Sequence, residues 1–388
     1  MLGTEKVRLA DSQRGIREII KALDGTNVKI LTAMWKFGPR NLLEVSRRTR
    51  IPFTSVYHRV AKLERKANRV ATLTPQVAQL GMMRIVVLAT ASPGAEDKVT
   101  RALKLPNLWR SIDRCEGNYS HLSVHYVPVK FTSEFKRYLR RLSELKLVTQ
   151  CKTILTGEYI PNFPDFGYYN PATNQWSFSW NKWLDALKRK PSKSIEDPTS
   201  YAVRVDKKDL LIVKELQKNA RRSFSDLAPI LGISLQGVKY HFDKKLIPSE
   251  IVKYYAFDIS PYPEEVSAYH ELLLEFPNKH AMNQFFSLVG DLFFVQGVSK
   301  VIHQDALVVR TNTIQMQVPN LFAFLSQMAR QGSLKTYTSV RQSFISREAQ
   351  TIPYELFEEG TGWTFDLRKR LSELSRLAKM KVVRENAR

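Results

Sequence analysis

Cysteine is almost missing from this chain: Cys115 and Cys151 are the only two in 388 residues. Neither has a histidine or a further cysteine at ligand spacing, so no zinc site and no disulfide framework is expected, and the compartment reads as reducing. Long apolar runs are missing too. No uninterrupted stretch is long enough to span a bilayer. Met1-Leu2-Gly3-Thr4-Glu5-Lys6 has no apolar run behind its charges, so neither a membrane partner nor a signal peptide is expected. Glycine-rich phosphate loops do not occur. Acid is scarce beside base: 37 Asp and Glu face 60 Lys and Arg, a formal charge of +23. Such an excess favours polyanions through counterion release and says nothing about fold. Apolar residues make up 43% of the chain, enough for several buried cores in a chain of this length.

What is present is a repeat. Residues 26–63 lie on residues 208–245 without a gap, at an offset that carries Ile30 onto Ile212. Leu31 then meets Val213, Met34 meets Leu216, Leu42 meets Phe224, Glu44 meets Asp226, Ile51 meets Ile233 and Val56 meets Val238. After each copy the same succession returns. In the first half it is a strand at 84–89, a helix near 96–104, strands near 109–116 and 119–126, a helix at 132–146 and a strand at 152–159. In the second half strands are expected at 269–276, 292–298, 305–311 and 334–340, with helices at 279–289 and 318–330. The order β-α-β-β-α-β is the ferredoxin-like pattern. Trp176-Ser177-Phe178 is echoed by Trp363-Thr364-Phe365, each followed by a basic amphipathic helix. The aromatics of 160–183 are expected to pack an extended arm on a neighbouring sheet, and the basic C-terminal helix to dock on its own αβ layer. The joint between halves is expected at 188–204, with prolines at 191 and 198.

The repeated unit reads as three short helices. In the second copy, Asp209 to Lys218 carries apolar residues at helical spacing. Ser223 is placed to cap a helix from Phe224 to Leu231, with Asp226 three residues on, and Gly232 to end it. Ser234 caps the third helix, whose buried stripe is expected to be Leu235, Val238, Phe242 and Leu246. That leaves Gln236, Gly237, Tyr240, His241 and Lys244 on the free face. In the first copy the stripe is Phe53, Val56, Val60 and Leu63, and the free face Thr54, Ser55, His58, Arg59 and Lys62. Arg47, Arg48 and Arg50 just before it are placed for phosphate contact. A Gly-containing turn and a last helix polar and basic on one side suit entry into a major groove. Ser234, Gln236, Gly237, Tyr240, His241 and Lys244 are therefore the expected DNA contacts of the second head, and Arg47, Arg48, Arg50, Thr54, Ser55, His58, Arg59 and Lys62 those of the first.

Residues 208–260, most specifically 209–238 with Leu216-Gln217-Lys218-Asn219-Ala220-Arg221, Asp226-Leu227-Ala228 and Gly232-Ile233-Ser234, resemble the N-terminal domain of the Lrp/AsnC transcription regulators. In the first half the resemblance is carried by Leu80-Gly81-Met82 and Gly117-Asn118-Tyr119. It implies a helix-turn-helix followed by a ferredoxin-like domain that pairs subunits and often senses an amino acid. Members are usually one such unit, so this chain resembles a fused dimer. Any effector is expected beside Gly117, Asn118 and Tyr119, because a glycine turn lets a ligand approach the backbone closely. The second half has His303-Gln304-Asp305 there instead, so a matching second site is not expected.

Other signals carry less. Gly232-Ile233-Ser234-Leu235-Gln236-Gly237 has one residue too many for a nucleophile elbow. His270-Glu271 lacks the second histidine of a zincin helix. His121 and His125 share a strand face with no third ligand nearby, so a plain sheet surface is expected there rather than a metal site. The expectation is an α+β protein, two helix-turn-helix (winged-helix-like) domains alternating with two ferredoxin-like (βαββαβ) domains. The expected divisions are 12–80, 81–160, an extension and linker at 161–204, 205–260, 261–345 and 346–388. Function is expected to be sequence-specific binding of double-stranded DNA by an intrachain pseudo-dimer, in the cytoplasm on the chromosome. No enzymatic activity, cofactor or metal is expected; a homo-oligomer is compatible with the pattern. The alternatives are a winged-helix module that binds protein, and an RNA- or single-strand-binding protein.

Overall fold

The computed structural model describes residues 23–67, 70–257, 262, 266–343 and 348–380. The expected divisions at 12, 260–261 and 345–346, and residues 381–388, lie outside the described residues. Along the chain, the first copy forms α1 (Gly25–Phe37), α2 (Leu42–Thr49), α3 (Phe53–Ala67) and strand β1 (Ala71–Thr74). A βαββαβ series follows: β2 (Met82–Ala91), α4 (Glu96–Lys104), β3 (Trp109–Glu116), β4 (His121–Pro128), α5 (Thr132–Glu144) and β5 (Val148–Thr156). The aromatic segment holds β6 (Ile160–Pro161), β7 (Tyr169–Asn170), β8 (Gln175–Trp176) and α6 (Trp180–Ala186).

The second copy repeats the sequence of elements: α7 (Lys207–Lys218), α8 (Phe224–Leu231), α9 (Leu235–His241) and β9 (Tyr254–Phe257). Helix α9 runs on through a wider π-type turn, Phe242–Leu246. Then come β10 (Ser267–Glu275), α10 (Lys279–Leu288), β11 (Val295–Lys300), β12 (Ala306–Ile314), α11 (Val318–Arg330) and β13 (Thr336–Gln342). Strands β14 (Glu348–Ala349), β15 (Phe357–Glu358) and β16 (Gly362–Trp363) lead to α12 (Leu367–Lys379).

The chain divides into two compact units that are not successive stretches. One comprises residues 1–76, 157–198 and 208–339, and so contains both helix-turn-helix modules, the aromatic segment and the second αβ domain. The sheet of that domain runs β13-β10-β12-β11, with β6 added beside β11 through Gly297↔Pro161. Placing the first strand between the last and the third is the ferredoxin-like arrangement. Its core gathers Leu272, Leu274, Leu307 and Val309 from the strands with Phe324 and Met328 from α11. The aromatic arm packs there: Trp176 stacks on Phe293 at 4.5 Å, and Trp183, 1% exposed, donates its indole N–H to the Tyr168 hydroxyl at 3.2 Å.

The other unit comprises residues 77–156, 199–207 and 340–388. Its sheet order β5-β2-β4-β3 is the same topology. Helices α4 and α5 cover Ile85, Val87, Ala89 and Ile112, and α12 adds Leu374 and Leu377 to this core. The basic C-terminal helix thus buries an apolar stripe on its own αβ layer. Trp363 donates its indole N–H to the Leu80 carbonyl at 2.6 Å, which fixes the β15–β16 hairpin to the start of the domain. His121 and His125 lie inside, against α4 and α5. His121 bonds Thr100 and Ser120 at 2.9 and 2.8 Å, and His125 bonds Ser123 at 2.9 Å and packs on the Phe135 ring. The expectation of a plain sheet face for this pair is corrected: both side chains are core, because β4 is buried along both faces.

Candidate nucleic-acid interface

Each module is built by local rules. Asp24 caps α1 by accepting from the Asn27 amide at 2.7 Å, and Asn41 caps α2. Ser223 and Ser234 cap α8 and α9. Such caps satisfy amides that the helix cannot. The turn after the middle helix takes the left-handed conformation in both copies, at Arg50 (φ 57°) and Gly232 (φ 63°). Glycine takes this conformation without strain and arginine does not. The stripe Ile30, Leu31, Met34, Val45, Val56 and Val60 is fully buried, as is Leu210, Ile212, Val213, Leu216, Leu227 and Val238 in the second module.

The two modules are clasped to each other. Arg40 donates to the carbonyls of Ala220 and Arg222, both at 2.8 Å, and its guanidinium lies 4.4 Å over Phe224 and 5.2 Å over Phe242. Burial pulls its pKa down from the ordinary value. Arg221 donates to the Pro39 carbonyl at 2.9 Å and to Glu64 at 2.6 Å. Pro39 and Arg221 are equivalent in the repeat, as are Arg40 and Arg222, each pair 182 residues apart. Two pairs of residues each meeting their own equivalent is what a local two-fold relation produces near its axis. The strands agree: β1 pairs antiparallel with β9, Leu73 opposite Tyr255. Neither module has a two-stranded wing of its own among the described residues. The single strand after each module pairs with that of the other.

The side chains expected at the interface divide. Thr54, Ser55, His58 and Lys62 are exposed on α3, and Ser234, Gln236, Tyr240 and Lys244 on α9 and the turn beyond it. Gly237 is half-buried. Arg47 and Arg48 are exposed beside Glu44, Arg48 bonding it at 2.8 Å, and Arg50 is exposed at its strained turn. Arg59 and His241, expected on the free faces, point back into their modules. Arg59 donates to Asp24 at 2.8 Å and to Asn27 at 3.1 Å, and His241 bonds Asp209 at 2.6 Å. Burial alone would raise the Asp24 carboxyl, but the Asn27 amide and Arg59 hold it below its ordinary value. Asn27 and Asp209 are equivalent residues, so both heads fasten the third helix to the first in the same way. Phe53 and Leu235, expected in the buried stripes, are 46% and 47% exposed. Burial begins only at Val56 and Val238, one turn later. Sequence reasoning missed the clasp, although the repeat register already lays Pro39-Arg40 on Arg221-Arg222.

At the expected effector turn, Gly117 has φ 99° and is exposed with Asn118, whose carbonyl accepts from Thr90 at 2.7 Å. Tyr119 is buried. In the second half His303 takes the equivalent left-handed place, at φ 57°. Its amide donates to Asp197 at 3.1 Å, and the buried Lys300 donates to the same carboxylate at 2.7 Å.

Residues 205–240 match the AsnC-type helix-turn-helix domain. The resemblance to the Lrp/AsnC regulators holds there. No curated protein sequence matches the chain. Among solved structures it is similar to the siroheme decarboxylase NirDL, at TM-score 0.56 and 12% identity, covering 91% of this chain and 99% of that one. A second structure of that enzyme, with an iron-uroporphyrin III analogue, gives TM-score 0.54 and 10% identity over 90% and 97%. An AsnC family transcriptional regulator from Agrobacterium tumefaciens is matched at TM-score 0.28 and 15% identity, over 34% of this chain and 89% of that one. The fold is that of helix-turn-helix modules joined to ferredoxin-like domains. One expectation is overturned: the reading that the chain is no enzyme rested on missing motifs, yet an enzyme has this fold along nearly its whole length. A site assembled from separate strands needs no fixed spacing in sequence, so absent motifs do not argue against catalysis. No helix among the described residues is long and apolar enough to cross a membrane.

Proposed function

We propose that this chain binds double-stranded DNA with sequence preference and regulates transcription, its two helix-turn-helix modules acting as one intrachain pseudo-dimer on a single duplex. The observation that carries the reading is the clasp in which Arg40 meets its equivalent Arg222 and Arg221 its equivalent Pro39, as a local two-fold between the two heads would have it. DNA half-sites with opposed orientation demand that symmetry. The AsnC-type match at 205–240, the exposed basic and polar groups of α3 and α9 and the charge of +23 support it. Arg47, Arg48, Arg50, Lys62 and Lys244 act on phosphates; Thr54, Ser55, His58, Gln236 and Tyr240 face base edges.

A small carboxylate effector, such as an amino acid, fits the turn at Gly117 and Asn118. Support comes from the second half, where the matching turn already holds the Asp197 carboxylate of the chain itself. Selection of duplexes from a random pool, followed by titration at several salt concentrations, tests the reading. Recovery of a preferred sequence with steep salt dependence is expected. Equal binding of all duplexes, or preference for single strands or RNA, contradicts it.

A further inference from the structure

Phe53 and Leu235 are repeat-equivalent, and each begins the third helix of its module. Each leaves nearly half of an apolar side chain in water, at 46% and 47% exposure. Within four residues of Phe53 are exposed Arg50, Thr54 and Tyr57, the last with its ring 6.3 Å from that of Phe53; within four residues of Leu235 are exposed Ser234, Gln236 and Lys239. Among the described side chains of α3 the charged groups are Arg59, Lys62, Glu64 and Arg65, and the single acid is bound by Arg221. An exposed apolar group with basic and polar residues close to it on the helix suits a partner that is anionic around a small apolar feature. In a major groove that feature is the thymine C5-methyl, flanked by phosphates. The first residues of a reading helix are the ones that approach base edges.

We infer that Phe53 and Leu235 are matched thymine-methyl contacts, one in each half-site, so that the preferred duplex carries a thymine at two positions related by its two-fold. The inference rests on the duplex-binding reading above and names what that site recognises. A second copy of this chain, itself carrying a charge of +23, would bring like charge to this face.

The test uses the full chain and its selected duplex, replacing thymines one at a time by deoxyuridine, which removes the methyl and keeps the base pairing. Burying one methyl is worth about a fourfold change in affinity. Two thymines, one per half-site, are expected to weaken binding by about that factor when replaced. In Phe53→Ala one of the two becomes insensitive, and in Leu235→Ala the other. Both residues are exposed, so an unchanged melting temperature checks the fold of each variant. Uniform tolerance of deoxyuridine by a chain that still selects a sequence overturns the methyl contacts and leaves the duplex reading standing. Failure to select any duplex overturns both. Self-association abolished by Phe53→Ala, with deoxyuridine tolerated, assigns the face to a second copy and also overturns the inference.

Discussion

Arg40 donates a 2.8 Å hydrogen bond to the carbonyl of Arg222, its own equivalent in the other half of the chain. A second bond between repeat-equivalent residues runs from Arg221 to the Pro39 carbonyl at 2.9 Å. Because Arg40 also bonds Ala220 and covers the rings of Phe224 and Phe242, it fills one side of the joint between the modules. Arg40→Ala leaves two carbonyls without this donor and removes a cation from two aromatic faces. A loss of about 3 kcal/mol is expected in the denaturant transition of that unit. Arg40→Lys should recover little, since an ammonium cannot serve both carbonyls while lying flat on the rings. Wild-type stability in both variants would show that the joint is held elsewhere.

Arg50 holds the left-handed turn that Gly232 holds in the other copy. Arg50→Gly should stabilise the first module by about 1 kcal/mol, seen as a raised melting temperature. If Arg50 meets a phosphate, the same variant lowers the slope of log K against log salt by about 1. A destabilised variant would mean that the side chain, rather than the turn, is what matters there.

Acid should weaken the unit that contains His121 and His125. Burial holds their pKa values at about 4 and about 3, against an ordinary 6.5. The native state keeps both rings neutral over the range in which the unfolded chain takes up protons. Stability is therefore full well above pH 6.5 and falls as the pH drops from there, by about 1.4 kcal/mol per unit for each ring, down to about pH 4 for His121 and about pH 3 for His125. Melting curves between pH 7.5 and 4.5 check this. His125→Gln, which keeps a hydrogen-bonding group near Ser123, should make the decline shallower. An unchanged slope would mean that His125 contributes nothing to it.

Much of this architecture was legible in the residues. Caps at Ser223 and Ser234 and the terminating Gly232 follow from local spacing and lie where it put them, and the order of both βαββαβ series is kept with strand ends shifted by up to about four residues. The face of a single residue at a helix start was not legible. Periodicity counts Phe53 and Leu235 into the stripe, but burial there depends on whether a neighbouring helix reaches that far. Nor was the inward turn of Arg59 and His241, because their partners Asp24 and Asp209 lie more than 30 residues away in sequence. The joint between modules was hidden for the same reason. A basic residue in a loop looks like any other until the repeat register sets Pro39-Arg40 against Arg221-Arg222.

Trp363 offers a smaller check on the extension that follows the second αβ domain. Its indole N–H reaches the Leu80 carbonyl at 2.6 Å with the ring 1% exposed. Trp363→Phe keeps most of the apolar area and removes the donor, for an expected cost of about 1–3 kcal/mol. Thermal unfolding of that variant beside Trp363→Ala separates the bond from the packing. Equal losses in the two would indicate that the hydrogen bond is the whole contribution.

A hydroxyl-radical footprint on the selected duplex tests most directly whether the two heads read one DNA molecule. It compares the intact chain with one variant disabled in the first head, His58→Ala with Lys62→Ala, and another disabled in the second, Gln236→Ala with Lys244→Ala. The intact chain should protect two half-sites whose centres lie one helical turn or a multiple of it apart, roughly 34 Å per turn. Each variant should lose protection over one half only and bind the whole site more weakly. A single protected patch that one pair of substitutions abolishes and the other leaves untouched would contradict the account, because only one module would then be touching DNA.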